Sequence, residues 1–303
     1  MAVIGKKMKI AMFWDFDPTN LFKWDTPSGI YREFKNAGHE VKKFPLPSYN
    51  KALGFNIFLK SGFKPDFCFL MNAGKLKEGE QFWNKKTLGD IPLVLEAGDE
   101  PQTFYDHIIL SKNSDIVLTP DFRCFEMYKN KNINAFWWTH WCDEKIFFKD
   151  ETQNQNISND VVSSMYGIRP ITNIVSTIIK EKFVNKTGLF DKENGHWLRS
   201  GKIVLQEARY GEITRRIFEG AGCAKLVMTN KLHPSTKLQE IFVDKEEIVY
   251  YNNPEECIEL INFYLQNDKE RERIANNGYK KIIENHTAEK RTFFVLEKIQ
   301  ELL

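Results

Sequence analysis

Short β-branched and aromatic runs alternate with helix-length segments along most of this 303-residue chain, and few folds accept that rhythm. Lys9–Trp14 reads as a first strand. Pro27–Ala37 reads as a helix, with Thr26 as N-cap, Pro27 in the first helical position and Gly38 where a helix ends. His39–Phe44, Asp66–Met71, Pro92–Ala97, Asp115–Thr119 and Ala135–Thr139 supply further strands, separated by segments long enough for helices. Strands alternating with helices predict a mostly parallel, doubly wound α/β sheet.

The rhythm breaks at Lys149–Asp160, a polar stretch without an apolar period, which reads as a linker. It then resumes. Val161–Ser163 reads as a strand end, Pro170–Phe183 as a helix, and Lys202–Leu205, Ala224–Thr229 and Glu247–Tyr251 as strands. Glu212–Gly220, Pro254–Leu265, Asp268–Asn285 and Ala288–Leu303 read as helices. The expectation is two Rossmann-like doubly wound domains, residues 1–150 and 151–287, followed by a last helix over residues 288–303. Ligands of open α/β sheets bind beyond the carboxyl ends of the strands, so the expected site is a cleft that the two domains face.

Charge and cysteine usage narrow the function classes. Lys and Arg number 43 against 41 Asp and Glu, a net charge of +2, which argues against a grossly basic nucleic-acid protein. No apolar run approaches the roughly 20 residues of a membrane span. The start of the chain is too short and too charged for a signal peptide. Cys68, Cys124, Cys142, Cys223 and Cys257 are odd in number and widely spaced, and no CxxC pair occurs. That predicts reduced thiols in the cytoplasm, and neither a disulfide scaffold nor a zinc site.

Gly211–Thr229 is the most informative segment. A loop enters a helix with Arg215 and Arg216 near its start and Glu219 one turn later; small residues and a strand follow. Helix N-termini attract phosphate, arginines offer a fork for phosphate oxygens, and a carboxylate accepts both hydroxyls of a ribose. The combination suits a sugar nucleotide. The same residues also suit a solvated amphipathic helix, and the pattern alone leaves both readings open.

The order of blocks resembles a known family. Arg216, Phe218, Glu219, Ala221 and Cys223 match an Arg-x-Phe-Glu-Ala block, with Ala224 where a Gly is usual. Glu240–Phe242, Tyr250–Glu256 and the close at Gly278 to His286–Thr287 follow in order. Gly167–Ile168–Arg169 is similar to a glycine–arginine turn that opens a helix, and Ser200–Leu205 to a Ser-Lys-Ile-x-Leu strand. Gly98–Pro101 and Asp115–Thr119 are similar to N-terminal blocks. Together these resemble CgeB-like glycosyltransferases, relatives of the family 4 transferases with the GT-B fold.

The resemblance implies that Glu219 binds the donor ribose and that Arg169, Arg215 and Arg216 neutralise the diphosphate, with Gly167 in the same donor-binding set. It implies a nucleotide-sugar co-substrate, read as a UDP-sugar, with no cofactor and no metal. It also implies an acceptor-binding first domain to which the last helix crosses back. One departure stands out. Family 4 enzymes carry a second Glu eight residues before the ribose Glu, and position 211 is Gly here, with Glu212 one place off.

Other candidates come from loops. Gly29, near a helix start, permits close backbone approach and joins the donor-binding set; helix capping is the alternative. Asp99, beyond a strand's carboxyl end, is the candidate base or acceptor-orienting group, or else an N-cap. His140 ends the aromatic run Phe136–Trp141 as a candidate substrate contact, or as a packing residue. Asp15–Phe16–Asp17 spells a metal motif but reads more readily as a turn. The acceptor is a hydroxyl of a saccharide, a protein or a modified DNA base; the lysines of the N-terminal half, Lys42, Lys43, Lys51, Lys60, Lys64, Lys85 and Lys86, motivate the last. A catalytically lapsed nucleotide-sugar-binding or surface-assembly protein is the non-enzymatic alternative, motivated by Gly211.

Overall fold

The structure is a computed structural model, and it describes residues 6–14, 26–46, 51–71, 83–150, 157–167 and 169–303, without the side chains of residues 26, 51 and 52. The chain divides into two compact units, residues 1–139 with 291–303, and residues 140–290. Asp15, Asp17 and most of the loop that leads to Gly29 lie outside the described residues, as do residues 151–156 of the expected linker and Ile168.

The first unit is built on strands β1 (Lys9–Trp14), β2 (Glu40–Pro45), β3 (Phe67–Met71), β4 (Leu93–Glu96), β5 (Ile116–Thr119) and β6 (Ala135–Trp137). All pair in parallel in the order β2-β1-β3-β4-β5-β6. Helices α1 (Thr26–Asn36), α2 (Lys51–Lys60), α3 (Lys85–Leu88), α4 (Phe104–Ser111) and α5 (Phe122–Lys129) connect them. Strands buried on both faces read as continuous apolar runs, and β1, β3, β4 and β5 do so. One face packs as an aromatic cluster in which Phe13 meets Phe44, Phe58 and Trp83 at 4.5–5.5 Å between ring centres. Trp138 and Trp141 are likewise buried, so two of the rings in the Phe136–Trp141 run fill core instead of facing a ligand.

The second unit holds β7 (Asn159–Ser163), β8 (Phe183–Asn185), β9 (Gly201–Gln206), β10 (Leu226–Asn230) and β11 (Val249–Tyr251), parallel in the order β11-β10-β9-β7-β8. Its helices are α6 (Pro170–Ile178), α7 (Asp191–Arg199), α8 (Arg215–Gly222), α9 (Leu238–Ile241), α10 (Pro254–Gln266) and α11 (Asp268–Asn285). A final helix, α12 (Ala288–Gln300), belongs from Arg291 onward to the first unit. There Trp138 Nε1 donates to the Arg291 carbonyl at 3.3 Å and Phe294 meets Phe136.

Two differences from the sequence reading have physical causes. The helix expected to Phe183 ends at Ile178, because the apolar run continues at helical spacing into a short strand. That strand, β8, covers the edge of β7 with Phe183 opposite Val161. The polar stretch expected to run to Asp160 gives way at Asn159, where pairing with Gly201 starts β7.

Candidate functional site

Both sheets reverse strand order next to their first strand, between β1 and β3 in one unit and between β7 and β9 in the other. In open α/β sheets such a switch point opens a crevice at the carboxyl ends of the strands. In the second unit that edge has an unusual property. Ser163 at the end of β7, the adjacent Ser164, Gln206 at the end of β9 and Thr229 in β10 are all buried, and their side-chain polar atoms have no hydrogen-bond partner among the described residues. Thr214 Oγ1 and Asn194 Oδ1, from neighbouring elements, share that state. Buried polar atoms are normally paired, since leaving one unmade costs about 1–3 kcal/mol. These six side chains belong to one unit, and four of them mark one edge of one sheet, which suits a polar ligand.

Charge gathers at the same place. The chain leaves β9 through a loop, Glu207–Thr214, that delivers α8. Gly211 takes φ +69° there, a left-handed conformation in which a glutamate would be strained. Glu212 then turns back, and its carboxylate accepts from the backbone N–H groups of Tyr210 at 2.6 Å and Arg209 at 3.4 Å. Glu212 therefore clasps the loop.

Arg169 and Arg209 approach each other over Gly167, whose φ is +73°. A Cβ built there would lie 3.8 Å from Arg169 Nη1 and 3.5 Å from Arg209 Cζ. Arg169 is buried and donates from Nε to the Glu207 carbonyl at 2.9 Å. Burial, and then the nearby Arg216, lower its pKa; Arg209 adds to that and Glu212 and Glu207 oppose it. Arg216 anchors by Nε to the Ser164 carbonyl at 2.7 Å, and Arg215 lies over the Trp141 ring at 4.6 Å.

Glu219 follows Arg215 and Arg216 by four and three residues, so all three share one stripe of α8. Its carboxyl is buried and accepts from Asn194 Nδ2 at 3.3 Å. Burial raises its pKa, while Arg216, Arg215 and the Asn194 hydrogen bond pull the other way. Behind it, Gly220 lets α8 lie on the sheet: a Cβ there would meet Val227 and Val204 at 2.9 and 3.1 Å.

The two helix starts differ. At α6, the Glu207 carboxylate accepts from the N–H groups of Ile171 and Thr172 at 3.2 and 2.7 Å, so a carboxylate already fills the position an anion would take. At α8, the N-cap Thr214 makes no capping bond with its side chain, and Arg215 and Arg216 stand in the first turn. Of the two, α8 has the start suited to an external anion.

The remaining candidates lie elsewhere. Gly29 is buried in the first turns of α1. Asp99 is exposed in the turn after β4, with φ +59°. Its neighbour Glu100 turns inward, where Tyr128 Oη and Thr119 Oγ1 donate to it and His107 Nδ1 lies 3.4 Å away. His140 is half-buried, 6.2 Å from the Phe218 ring. Among the described residues no three His, Cys, Asp or Glu side chains converge as a metal site would require. Sequence reasoning missed Arg209, Asn194, Glu207 and Thr214; the position of Arg209 two residues before Gly211 was the available signal for the first.

Residues 177–297 match a family model described as glycosyl transferase-like. No curated protein matches the chain. Among solved structures, HepE from Anabaena in complex with UDP-glucose is similar over 97% of this chain and 100% of its own, at 11% identity and a TM-score of 0.64. Sucrose-phosphate synthase from Thermosynechococcus elongatus is similar over 98% and 99%, at 10% identity and a TM-score of 0.68. A glycosyltransferase from Rickettsia africae is similar over 98% and 99%, at 12% identity and a TM-score of 0.67. At such identities the likeness concerns the fold. The chain has the GT-B fold, and the stretch that matches the glycosyl transferase-like model covers most of its second unit.

Proposed function

We propose that the chain transfers a sugar from a nucleotide-sugar donor, a UDP-sugar, to a hydroxyl acceptor. The observation that carries the reading is the convergence at the carboxyl edge of β7, β9 and β10 of three arginines, one buried carboxylate and several buried polar side chains without partners. The UDP-glucose complex of the similarly folded HepE supports UDP as the nucleotide.

In this reading Glu219 accepts hydrogen bonds from the two ribose hydroxyls. The start of α8, with Arg216, Arg169 and Arg209, faces the diphosphate. Transfer breaks the bond between the anomeric carbon and a phosphate oxygen and forms one to the acceptor oxygen. The electron pair leaves with the diphosphate, where fixed guanidinium groups stabilise the charge that develops. Asp99 is the proposed group that takes the acceptor's proton, and His140 a proposed substrate contact. The first unit would hold the acceptor. Of its lysines, Lys85 pairs with Asp115 at 2.7 Å, and Lys42 lies 4.5 Å over the Phe63 ring. The acceptor is a hydroxyl of a saccharide, a protein or a modified DNA base.

A thermal-shift panel of UDP-, GDP-, ADP- and dTDP-sugars tests the assignment, because a ligand of the native state raises its stability by mass action. The expected result is the largest shift with a UDP-sugar, lost in Arg216→Ala. Equal shifts in the variant and the parent chain would remove the assignment. Tight nucleotide binding without turnover of any sugar would instead indicate a lapsed transferase.

A further inference from the structure

The amino-terminal ends of β9 and β10 border a second polar cavity, at the opposite edge of the same sheet. Its volume is about 410 Å³. Arg199 at the end of α7, Lys202 in β9, Lys225 before β10, Arg271 in α11 and Lys149 line it, and Asp150 and Glu272 are its acids. Five cations against two acids is a basic lining, and the size is that of a small-molecule cleft.

Partnering separates these cations. Lys202 pairs with Asp160 at 2.7 Å, Arg271 with Asp268 at 2.5 Å, and Lys149 reaches Asn276 Oδ1 at 3.0 Å. Two are left under-used. Arg199 is 2% exposed; it donates from Nη1 to the Ile146 carbonyl at 2.8 Å, its Nη2 lies 3.4 Å from His196 Nδ1 and its guanidinium lies 4.3 Å over the Phe148 ring, but its buried Nε has no partner among the described residues. Lys225 is half-buried and makes no ion pair or hydrogen bond through Nζ among the described residues. Burial lowers its pKa, as expected of an ammonium held away from water.

Both residues follow or end helices, α7 and α8, where a cation compensates the terminal carbonyls. That role would show as a bond to a helix-end carbonyl. Arg199 bonds instead to a carbonyl outside α7, and Lys225 Nζ bonds to none. Two cations without full partners match a phosphoryl group, which carries about two negative charges at neutral pH and accepts from a guanidinium fork.

We propose that this cavity is a binding site for a small phosphorylated anion, separate from the donor site, with Arg199 and Lys225 as its principal ligands. The site stands on geometry of its own and does not depend on the donor assignment.

Titration calorimetry with inorganic pyrophosphate on the full chain tests it. The expected result is saturable binding that Lys225→Met weakens by about tenfold or more, the loss of one charge-assisted hydrogen bond. Arg199→Lys, which removes the fork but keeps the charge, should weaken it as well, and Arg216→Ala, which disables the arginine cluster at the start of α8, should still show one saturable pyrophosphate site. Lys202→Met, at the same wall, serves if Lys225→Met does not fold. Absence of saturable binding would overturn the proposal. So would binding lost in Arg216→Ala but kept in Lys225→Met, which would assign the anion to the other edge of the sheet.

Discussion

At the scale of single residues, the carboxyl of Glu219 is the most consequential. Burial raises its pKa in the folded state, so the folded protein holds that proton to higher pH than the unfolded chain does. Stability from this group is therefore complete below the ordinary carboxylate range and is lost as pH rises through the raised value. Glu219→Gln removes the titration. The variant should be the more stable protein at pH 7.5, and its advantage should shrink toward pH 4; urea unfolding at the two pH values reads the difference. An equal advantage at both would mean that the carboxyl titrates normally. Glu219, Arg215 and Arg216 were legible as a set because they share one helical stripe within five residues of sequence. Arg209, Asn194 and Glu207 were not, because a loop and two other elements bring them together only in the folded chain. Gly211 and Ala224 show what a motif comparison cannot supply. Both have positive φ, +69° and +54°, so glycine at 211 answers the loop's conformation, and alanine at 224 occupies a helix-end position that ordinarily takes glycine.

At the scale of elements, the contrast between α6 and α8 decides where an anion is welcome. One start is closed by Glu207 and the other carries two arginines. From sequence, the resemblance put Arg169 before α6 and Arg215 and Arg216 at the start of α8 in one donor-binding set. The closing carboxylate comes from the end of β9, some 36 residues away. Helix contacts with the sheet set a second expectation. Gly278 of α11 approaches the backbone so closely that a Cβ would lie 2.4 Å from the Glu247 carbonyl oxygen. Alanine gains about 1 kcal/mol in helix propensity over glycine, but overpacking against a backbone atom costs about 1–3 kcal/mol or more. The clash wins because a main-chain carbonyl cannot rotate away. Gly278→Ala should lower the urea midpoint, and an unchanged or higher midpoint would show that α11 shifts freely. The strand β8 escaped the sequence reading because three residues of edge strand carry no period of their own.

For the whole molecule, alternation alone was enough to read two parallel α/β units. It could not supply the strand orders, because hydrophobic period says that a segment is a strand and not which strand it joins. The orders, each reversing beside its first strand, are what turn a list of elements into a crevice with a known edge. The division of the chain follows the same logic. The first unit ends at residue 139 and regains residues 291–303, so the polar stretch after Lys149 lies within the second unit. The proposed transfer requires the carboxyl edge of β7, β9 and β10 to hold a nucleoside diphosphate. Isothermal titration of UDP into the parent chain and Glu219→Ala measures this directly. The prediction is saturable binding that falls by about 10–100-fold in the variant, the worth of hydrogen bonds to a charged group. Equal UDP affinity in the two proteins would contradict it.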